Sequence, residues 1–122
     1  MPAIFEVMTR EVATIAQEAS VLDAARLMSE LDVGALPVCD GEMLVGTVTD
    51  RDITLRATAP GRAPRSLAVA EVMTQASTYC SECDSVDDVL TRMRTLKIPR
   101  IPVVDAKNRL VGIVSLDDLA VL

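Results

Sequence analysis

Hydrophobic positions recur in the same order in the two halves of the chain, at an offset of 65 residues (Val72 for Val7) that becomes 66 after a turn. Apolar residues near helical spacing alternate with short runs rich in β-branched residues, so each half predicts the order β-α-β-β-α. The predicted strands cover residues 12–16, 35–39 and 43–49, then 78–81, 101–104 and 110–114, and the predicted helices cover residues 21–31 and 50–57, then 86–97 and 116–121.

Each half has a helix start that can be located from residue type alone. Ser20 and Ser85 precede the two long apolar stripes, and Asp23 and Asp88 follow three residues later. A serine hydroxyl accepts a hydrogen bond from a backbone N–H in the first helical turn, which no other backbone group would satisfy. Both serines are therefore predicted N-caps.

The same seven-residue pattern lies at the end of the last predicted strand of each half, where that strand leads into the following helix. A glycine is followed, after two residues, by a hydroxyl and, after two more, by an aspartate. The hydroxyl and the acid can form a capping box, which requires no ligand, while the glycine lets another group approach the backbone closely. The recurrence of the pattern inside a longer repeat favours a function. The residues are Gly46, Thr49 and Asp52, and Gly112, Ser115 and Asp118.

Proline occupies matching places inside two predicted strands, as Pro37 and Pro102. Proline has no N–H to donate to a neighbouring strand, so each marks a strand edge or an interrupted ladder beside an open backbone.

The chain is therefore a tandem duplication. We predict a first repeat with a crossover linker over residues 1–66 and a second repeat over residues 67–122. Pro60, Gly61 and Pro64 interrupt regular structure within that crossover.

Composition excludes several classes of function. The chain has no histidine, which removes histidine-based catalysis and histidine metal sites, and no nucleophile stands beside a base, so we expect no enzyme. The net charge of −6, from 18 acidic and 12 basic side chains, argues against broad nucleic-acid binding. No apolar run is long enough to span a membrane and no signal peptide is evident, so we expect a cytoplasmic protein.

Three cysteines are too few for a zinc site without a further ligand. Cys39 and Cys80 align with Val104 and Ile15, which favours packing in a core. Cys80 and Cys83 have the spacing of a redox or metal motif, and that alternative stays open.

Taken in order and in duplicate, these segments resemble a tandem CBS-domain pair, or Bateman module, of the small stand-alone bacterial type. The resemblance covers nearly the whole chain. It rests on Val-Met-Thr at the start of each repeat, the serine-capped helices, the hydrophobic-Pro-Val strands at residues 36–38 and 101–103, Leu-Val-Gly, and the Thr/Ser-x-x-Asp turn.

The resemblance implies an α+β fold in which two repeats pack around a pseudo-twofold axis and leave two clefts for adenosine nucleotides such as AMP, ADP or ATP. The aspartates would accept from ribose, and the hydroxyls would meet phosphate or ribose. Arg100 would either meet phosphate or form a surface ion pair. Tyr79 would either stack on the base or form part of the wall at a strand start. The implied ligand-binding residues are Thr14, Leu36, Pro37, Thr49, Asp52, Tyr79, Arg100, Ile101, Pro102, Ser115 and Asp118.

Three functions remain open at this point. The chain could be a nucleotide-sensing regulatory module, a structural homodimerisation module with empty clefts, or a redox- or metal-responsive protein using Cys80 and Cys83. We expect an adenosine nucleotide and a second copy of the chain as partners, no required cofactor, and neither a membrane nor a nucleic acid as partner.

Overall fold

The computed structural model describes residues 2–76 and 78–120, and every predicted helix and strand is present within them. Of the predicted helices and strands, only the last helix extends beyond the described residues, by its predicted end at residue 121. No helix in these ranges is both long and apolar enough to cross a membrane. The strands are β1 (Ile15–Ala16), β2 (Ala35–Asp40), β3 (Met43–Thr49), β4 (Thr74–Gln75), β5 (Cys80–Ser81), β6 (Arg100–Val104) and β7 (Leu110–Ser115). The helices are α1 (Val21–Leu31), α2 (Asp50–Ile53), α3 (Val86–Leu96) and α4 (Leu116–Ala120), and a π-helical turn (Thr54–Thr58) continues α2.

The chain forms two compact units whose limits differ from those of the sequence repeats. The first unit is Ala13–Ser77, and the second unit is Met1–Val12 together with Thr78–Leu122. The difference arises because the Val-Met-Thr segment that opens each repeat joins the sheet of the other repeat. In the first unit Thr74 pairs with Thr47, and in the second Thr9 forms a bridge with Ile113.

The first unit has a four-stranded sheet in the order β1-β2-β3-β4. Strand β1 runs parallel to β2, and β2-β3 and β3-β4 are antiparallel. The second unit has a three-stranded sheet in the order β5-β6-β7, in which β5 runs parallel to β6 and β6 runs antiparallel to β7. Each sheet packs against its long helix over an aliphatic core. The core of the first unit comprises Val21, Ala24, Met28, Leu36, Val38, Val48, Ala57, Leu67, Val69 and Val72. The core of the second unit comprises Ile4, Met8, Cys80, Val86, Val89, Met93, Ile101, Val103, Val114 and Leu119.

Both predicted helix caps are confirmed. The Ser20 hydroxyl accepts from the Asp23 N–H at 3.0 Å, and the Ser85 hydroxyl accepts from the Asp88 N–H at 3.2 Å. Asp32 and Lys97 immediately follow the two helices as C-caps and have left-handed φ values of 54° and 58°. A left-handed residue terminates a helix by turning the chain away from its axis.

The first strand of each repeat is shorter than predicted. β1 begins only at Ile15, which pairs with Val38, and β5 begins at Cys80, which pairs with Val103. The residues one position earlier in the neighbouring strands are Pro37 and Pro102, which have no N–H to continue the ladder. The prolines thus lie in central strands, at the point where pairing on one side is interrupted.

Candidate functional site

The Thr49 motif of the first unit forms a closed capping box. The Thr49 hydroxyl accepts from the Asp52 N–H at 3.0 Å, and the Asp52 carboxylate accepts from the Thr49 N–H at 3.0 Å. Two more N–H groups of this turn are also bonded, since Asp50 donates to the Gly34 carbonyl and Arg51 to the Asp50 carboxylate. The first turn of α2 is therefore satisfied by the chain itself.

The corresponding motif of the second unit forms only one of the two hydrogen bonds of a capping box. The Ser115 hydroxyl accepts from the Asp118 N–H at 3.0 Å, as in the first unit. In contrast to Asp52, the Asp118 carboxylate is exposed and accepts no hydrogen bond from any residue in the described ranges. The second motif therefore leaves a carboxylate available to another molecule.

The glycine of each motif is explained by the chain and not by a ligand. A Cβ on Gly46 would lie 2.5 Å from the Thr74 carbonyl oxygen, and a Cβ on Gly112 would lie 2.9 Å from that of Thr9. The Val-Met-Thr segments therefore occupy the space that the missing side chains leave.

Arg100 and Ser115 are register partners across β6 and β7. Side chains of directly opposed residues on antiparallel strands lie about 5 Å apart at Cβ. Arg100 is exposed and forms no ion pair with the part of the chain that the structure describes. The first unit has Ala35 opposite Thr49 and hence no cation at this place.

In each hydrophobic-Pro pair, the hydrophobic residue supplies backbone rather than an accessible side chain. Leu36 is 2% exposed and Ile101 is 0% exposed, and both belong to the cores. Pro37 and Pro102 lie opposite Thr47 and Ile113 in the register. At both predicted sites, Leu36 and Ile101 therefore present their backbone, and not their side chains, to the surface.

Thr14 and Tyr79 precede β1 and β5, and the parallel registers place them alongside Pro37 and Pro102. Both are exposed, Tyr79 by 41%. The Tyr79 carbonyl accepts from the Arg92 guanidinium at 3.1 Å. Each unit thus brings together its strand-start residue, its proline and its hydroxyl motif at one end of the sheet.

A groove of about 440 Å³ also runs along the β5 edge of the second unit. Several polar residues that line this groove were not predicted as site residues from the sequence, among them Asp84, Arg92 and Asn108. Asp84 accepts from the Ser81 N–H at 2.9 Å and pairs with Arg92 at 3.3 Å. Asn108 joins them from the β6–β7 turn. The Ser81-x-x-Asp84 spacing was a visible signal for the turn, but no spacing linked it to Arg92.

The cysteines divide into two buried side chains and one exposed side chain. Cys39 and Cys80 are buried, which raises the pKa of the Cys39 thiol and raises that of Cys80 to about 12. Cys83 is exposed. Among the described residues, no three Cys, Asp or Glu side chains lie close enough to hold a metal ion.

A family model described as "CBS domain" matches residues 4–57 and 69–121. The chain belongs to the CBS-domain family. The CBS-domain protein YhcV of Bacillus subtilis is 42% identical over 121 residues, which cover 99% of this chain and 85% of that protein.

Solved CBS-pair structures share the fold. The crystal structure of hypoxic response protein I with two coordinated zinc ions has a TM-score of 0.84 at 32% identity, covering 98% of this chain and 97% of that one. CBSX2 of Arabidopsis thaliana in complex with AMP has a TM-score of 0.82 at 26% identity, with coverage of 98% and 94%. The CBS pair of protein MJ0100 with 5′-methylthioadenosine and S-adenosyl-L-methionine has a TM-score of 0.78 at 28% identity, also with coverage of 98% and 94%.

Proposed function

We propose that this CBS pair is a regulatory module that binds an adenosine nucleotide, with the Ser115 motif as its principal site. Two structural neighbours carry AMP or adenosine derivatives of the methylthioadenosine class. An acid can accept hydrogen bonds from a ribose diol, and a guanidinium beside a hydroxyl suits a phosphate.

The observation that carries the proposal is the position of Arg100 directly opposite Ser115 in the strand register, next to the unbonded Asp118 carboxylate. These three side chains offer one cation, one hydroxyl and one acceptor within two strands and the first turn of a helix. A nucleoside monophosphate requires the same set, since its phosphate is an anion and its ribose is a donor. Tyr79, beside Pro102, adds an aromatic face for the base.

The Thr49 motif is proposed as the weaker site for a phosphate-bearing ligand. Its Asp52 carboxylate is already bonded to the Thr49 N–H, and Ala35 stands where the second unit has Arg100. A ligand there would have to share the Asp52 carboxylate with the backbone and would find no cation from that strand.

The redox or metal alternative has less support, because Cys80 is buried, its pKa is raised to about 12, and Cys83 is exposed. A thiol that stays protonated is a poor nucleophile and a poor metal ligand. We therefore propose a non-enzymatic regulatory role in the cytoplasm, with a second copy of the chain as the protein partner.

The proposal is tested by calorimetry and thermal unfolding with adenosine, AMP, ADP, ATP and S-adenosylmethionine. A ligand at about 100 times its dissociation constant stabilises the folded state by about 2.7 kcal/mol. Asp118→Asn should weaken binding more than Asp52→Asn does. Asp117→Asn is the matched control, because Asp117 is exposed on the same turn. If none of the five compounds at millimolar concentration raises the melting temperature, nucleotide sensing is wrong and the structural role remains.

A further inference from the structure

Tyr79, the proposed aromatic contact for the base, directly precedes an edge strand of only two residues. Strand β5 stands at the edge of the sheet β5-β6-β7, with β6 as its neighbour. The N–H of Glu82, just after β5, also donates towards β6, to the Val104 carbonyl at 2.9 Å. So short a strand is held weakly at the edge, because few hydrogen bonds resist its local opening. The placement of Tyr79 therefore depends on other contacts that fix the start of β5.

An ion pair bridges two backbone groups on the outer edge of β5. Backbone groups alternate between the two edges of a strand, so Tyr79 and Ser81 face outwards where Glu82 faces β6. The Arg92 guanidinium donates to the Tyr79 carbonyl at 3.1 Å, and the Ser81 N–H donates to the Asp84 carboxylate at 2.9 Å. The guanidinium and the carboxylate are themselves paired at 3.3 Å. Arg92 and Asp84 therefore satisfy the edge groups that a further strand would otherwise bind.

The first repeat does not have the side chains for such a bridge. The residues 65 positions before Asp84 and Arg92 are Ala19 and Leu27, whose side chains form no hydrogen bonds. Strand β1 nevertheless pairs with β2 in the register that β5 has with β6. The fold therefore does not require the bridge. Its presence in the repeat proposed to hold the principal nucleotide site points to a role at that site.

The effect of the bridge is local. The side chains of Arg92 and Asp84 are 41% and 38% exposed, and an exposed ion pair contributes little to the stability of a whole domain. Both residues line the groove along β5, whose other charged residue, Asp105, is paired with Arg109 at 2.7 Å. The charges of the groove are thus satisfied by the chain itself, and what they hold in place is the start of β5.

We propose that Arg92 and Asp84 are positioning residues that hold Tyr79 at the nucleotide site and thereby set recognition of the base. The inference rests on the proposed function, in which Tyr79 meets the base of a nucleotide bound at the Ser115 motif. Arg92 acts on the Tyr79 backbone, and the strand start that it fixes lies alongside Pro102. Without the bridge, Tyr79 is in place in only a fraction of the molecules. The apparent affinity for the nucleotide falls with that fraction.

A double-mutant cycle on AMP binding, measured by calorimetry, tests the proposal. Arg92→Leu installs the residue of the first repeat and should weaken AMP binding about fivefold. Tyr79→Leu should weaken it at least as much. Adding Arg92→Leu to Tyr79→Leu should have no further effect, because Arg92 acts through Tyr79. Arg94→Leu removes the same charge from an exposed position on the same helix, and this matched control should bind AMP as wild type does.

Amide hydrogen exchange without ligand measures the bridge itself. The Ser81 amide should exchange several times faster in Arg92→Leu and in Asp84→Ala than in wild type, because its protection depends on the bridge. The Val89 amide, which donates to the Ser85 carbonyl inside α3, should keep its rate and controls for global unfolding. Equal exchange of the Ser81 amide in all three proteins would show that the bridge does not hold β5, and the proposal would be wrong.

Three binding results would also overturn the proposal. If either single variant, Arg92→Leu or Tyr79→Leu, binds AMP as tightly as wild type, the positioning role is wrong and nucleotide binding itself stands. If Arg92→Leu weakens binding further in the Tyr79→Leu chain, its effect is a general structural one. If wild type does not bind AMP at millimolar concentration, the proposed AMP site is wrong, and the positioning role falls with it.

Discussion

The Met8 sulfur lies 2.6 Å from the position that a Cβ on Gly112 would occupy. In the first unit the Met73 sulfur lies 2.9 Å from the corresponding position on Gly46. Both glycines are therefore required by the segment that each repeat contributes to the other repeat's sheet. In each unit, the glycine of the motif packs directly against the methionine and threonine of a Val-Met-Thr segment.

Substitution of either glycine should destabilise the fold without any ligand present. Gly112→Ala and Gly46→Ala should each lower the free energy of unfolding by about 1–3 kcal/mol, because the added methyl group overpacks a close contact. Gly34→Ala is the control, since its Cβ would meet only the end of the Asp50 side chain, at 3.1 Å. Equal urea midpoints for Gly112→Ala and wild type would contradict this explanation.

The helix caps give a paired prediction. Ser20→Ala and Ser85→Ala should each reduce stability by about 1 kcal/mol, because an N–H in the first turn loses its acceptor. Ser29→Ala is the matched control, because Ser29 is exposed inside α1 and alanine is the better helix former. Chemical unfolding of the three variants provides the measurement, and an equal loss in Ser29→Ala would rule out capping as the cause.

The features that could be predicted from the sequence are those fixed by local chemistry. The duplicated order of elements follows from hydrophobic spacing, and the helix starts at Ser20 and Ser85 follow from the acceptor that a helix needs. The family likewise follows from the order of several short motifs along the chain.

The remaining features depend on contacts between distant residues. The Val-Met-Thr segment has no local signal for the sheet that it joins. Likewise, Thr49 and Ser115 head the same pattern, yet Asp52 closes a capping box and Asp118 does not. The sequence also predicts a strand that starts at residue 12, whereas pairing begins only at Ile15, because Pro37 in the neighbouring strand has no N–H to donate.

Thiol chemistry should distinguish the three cysteines. Burial raises the pKa of Cys80 to about 12, so its reactive thiolate is scarce near neutral pH, and burial also protects Cys39. A chromogenic disulfide reagent should titrate about one thiol per native chain, contributed by Cys83, and three in denaturant. Cys83→Ser should abolish the native reaction, and a rapid second thiol in that variant would contradict the burial of the other two.

The turn between β6 and β7 should weaken in acid. The Asp105 carboxylate accepts from the Arg109 and Lys107 N–H groups, both at 2.9 Å, and from the Arg109 guanidinium at 2.7 Å. The backbone hydrogen bond from Arg109 is the largest cause that lowers the pKa of Asp105 below its ordinary value of 3.8. The Asp105 carboxylate therefore contributes its full stabilisation above its unfolded-state pKa of 3.8. This stabilisation is lost as pH falls through the lower pKa of the folded state.

Urea unfolding across the acid range measures this effect. Asp105→Asn should lower stability near neutral pH and make the acid loss shallower than in wild type. Asp40→Asn is the matched control, because Asp40 holds the equivalent place in the first repeat and its carboxylate accepts no hydrogen bond in the described part of the chain. Parallel pH profiles for wild type and Asp105→Asn would show that the turn carboxylate does not contribute.

Arg100 should separate recognition of the phosphate from recognition of the nucleoside. Because Arg100 lies opposite Ser115, its guanidinium can meet a phosphate at that hydroxyl but adds nothing to a ribose or a base. Arg100→Gln should therefore weaken AMP binding about tenfold, equivalent to about 1.4 kcal/mol, and leave adenosine affinity unchanged. Arg26→Gln, an exposed change of the same charge on α1, controls for net charge. Equal loss for both compounds would mean that Arg100 shapes the site and does not bind the phosphate, and equal loss in Arg26→Gln would attribute the effect to the overall field.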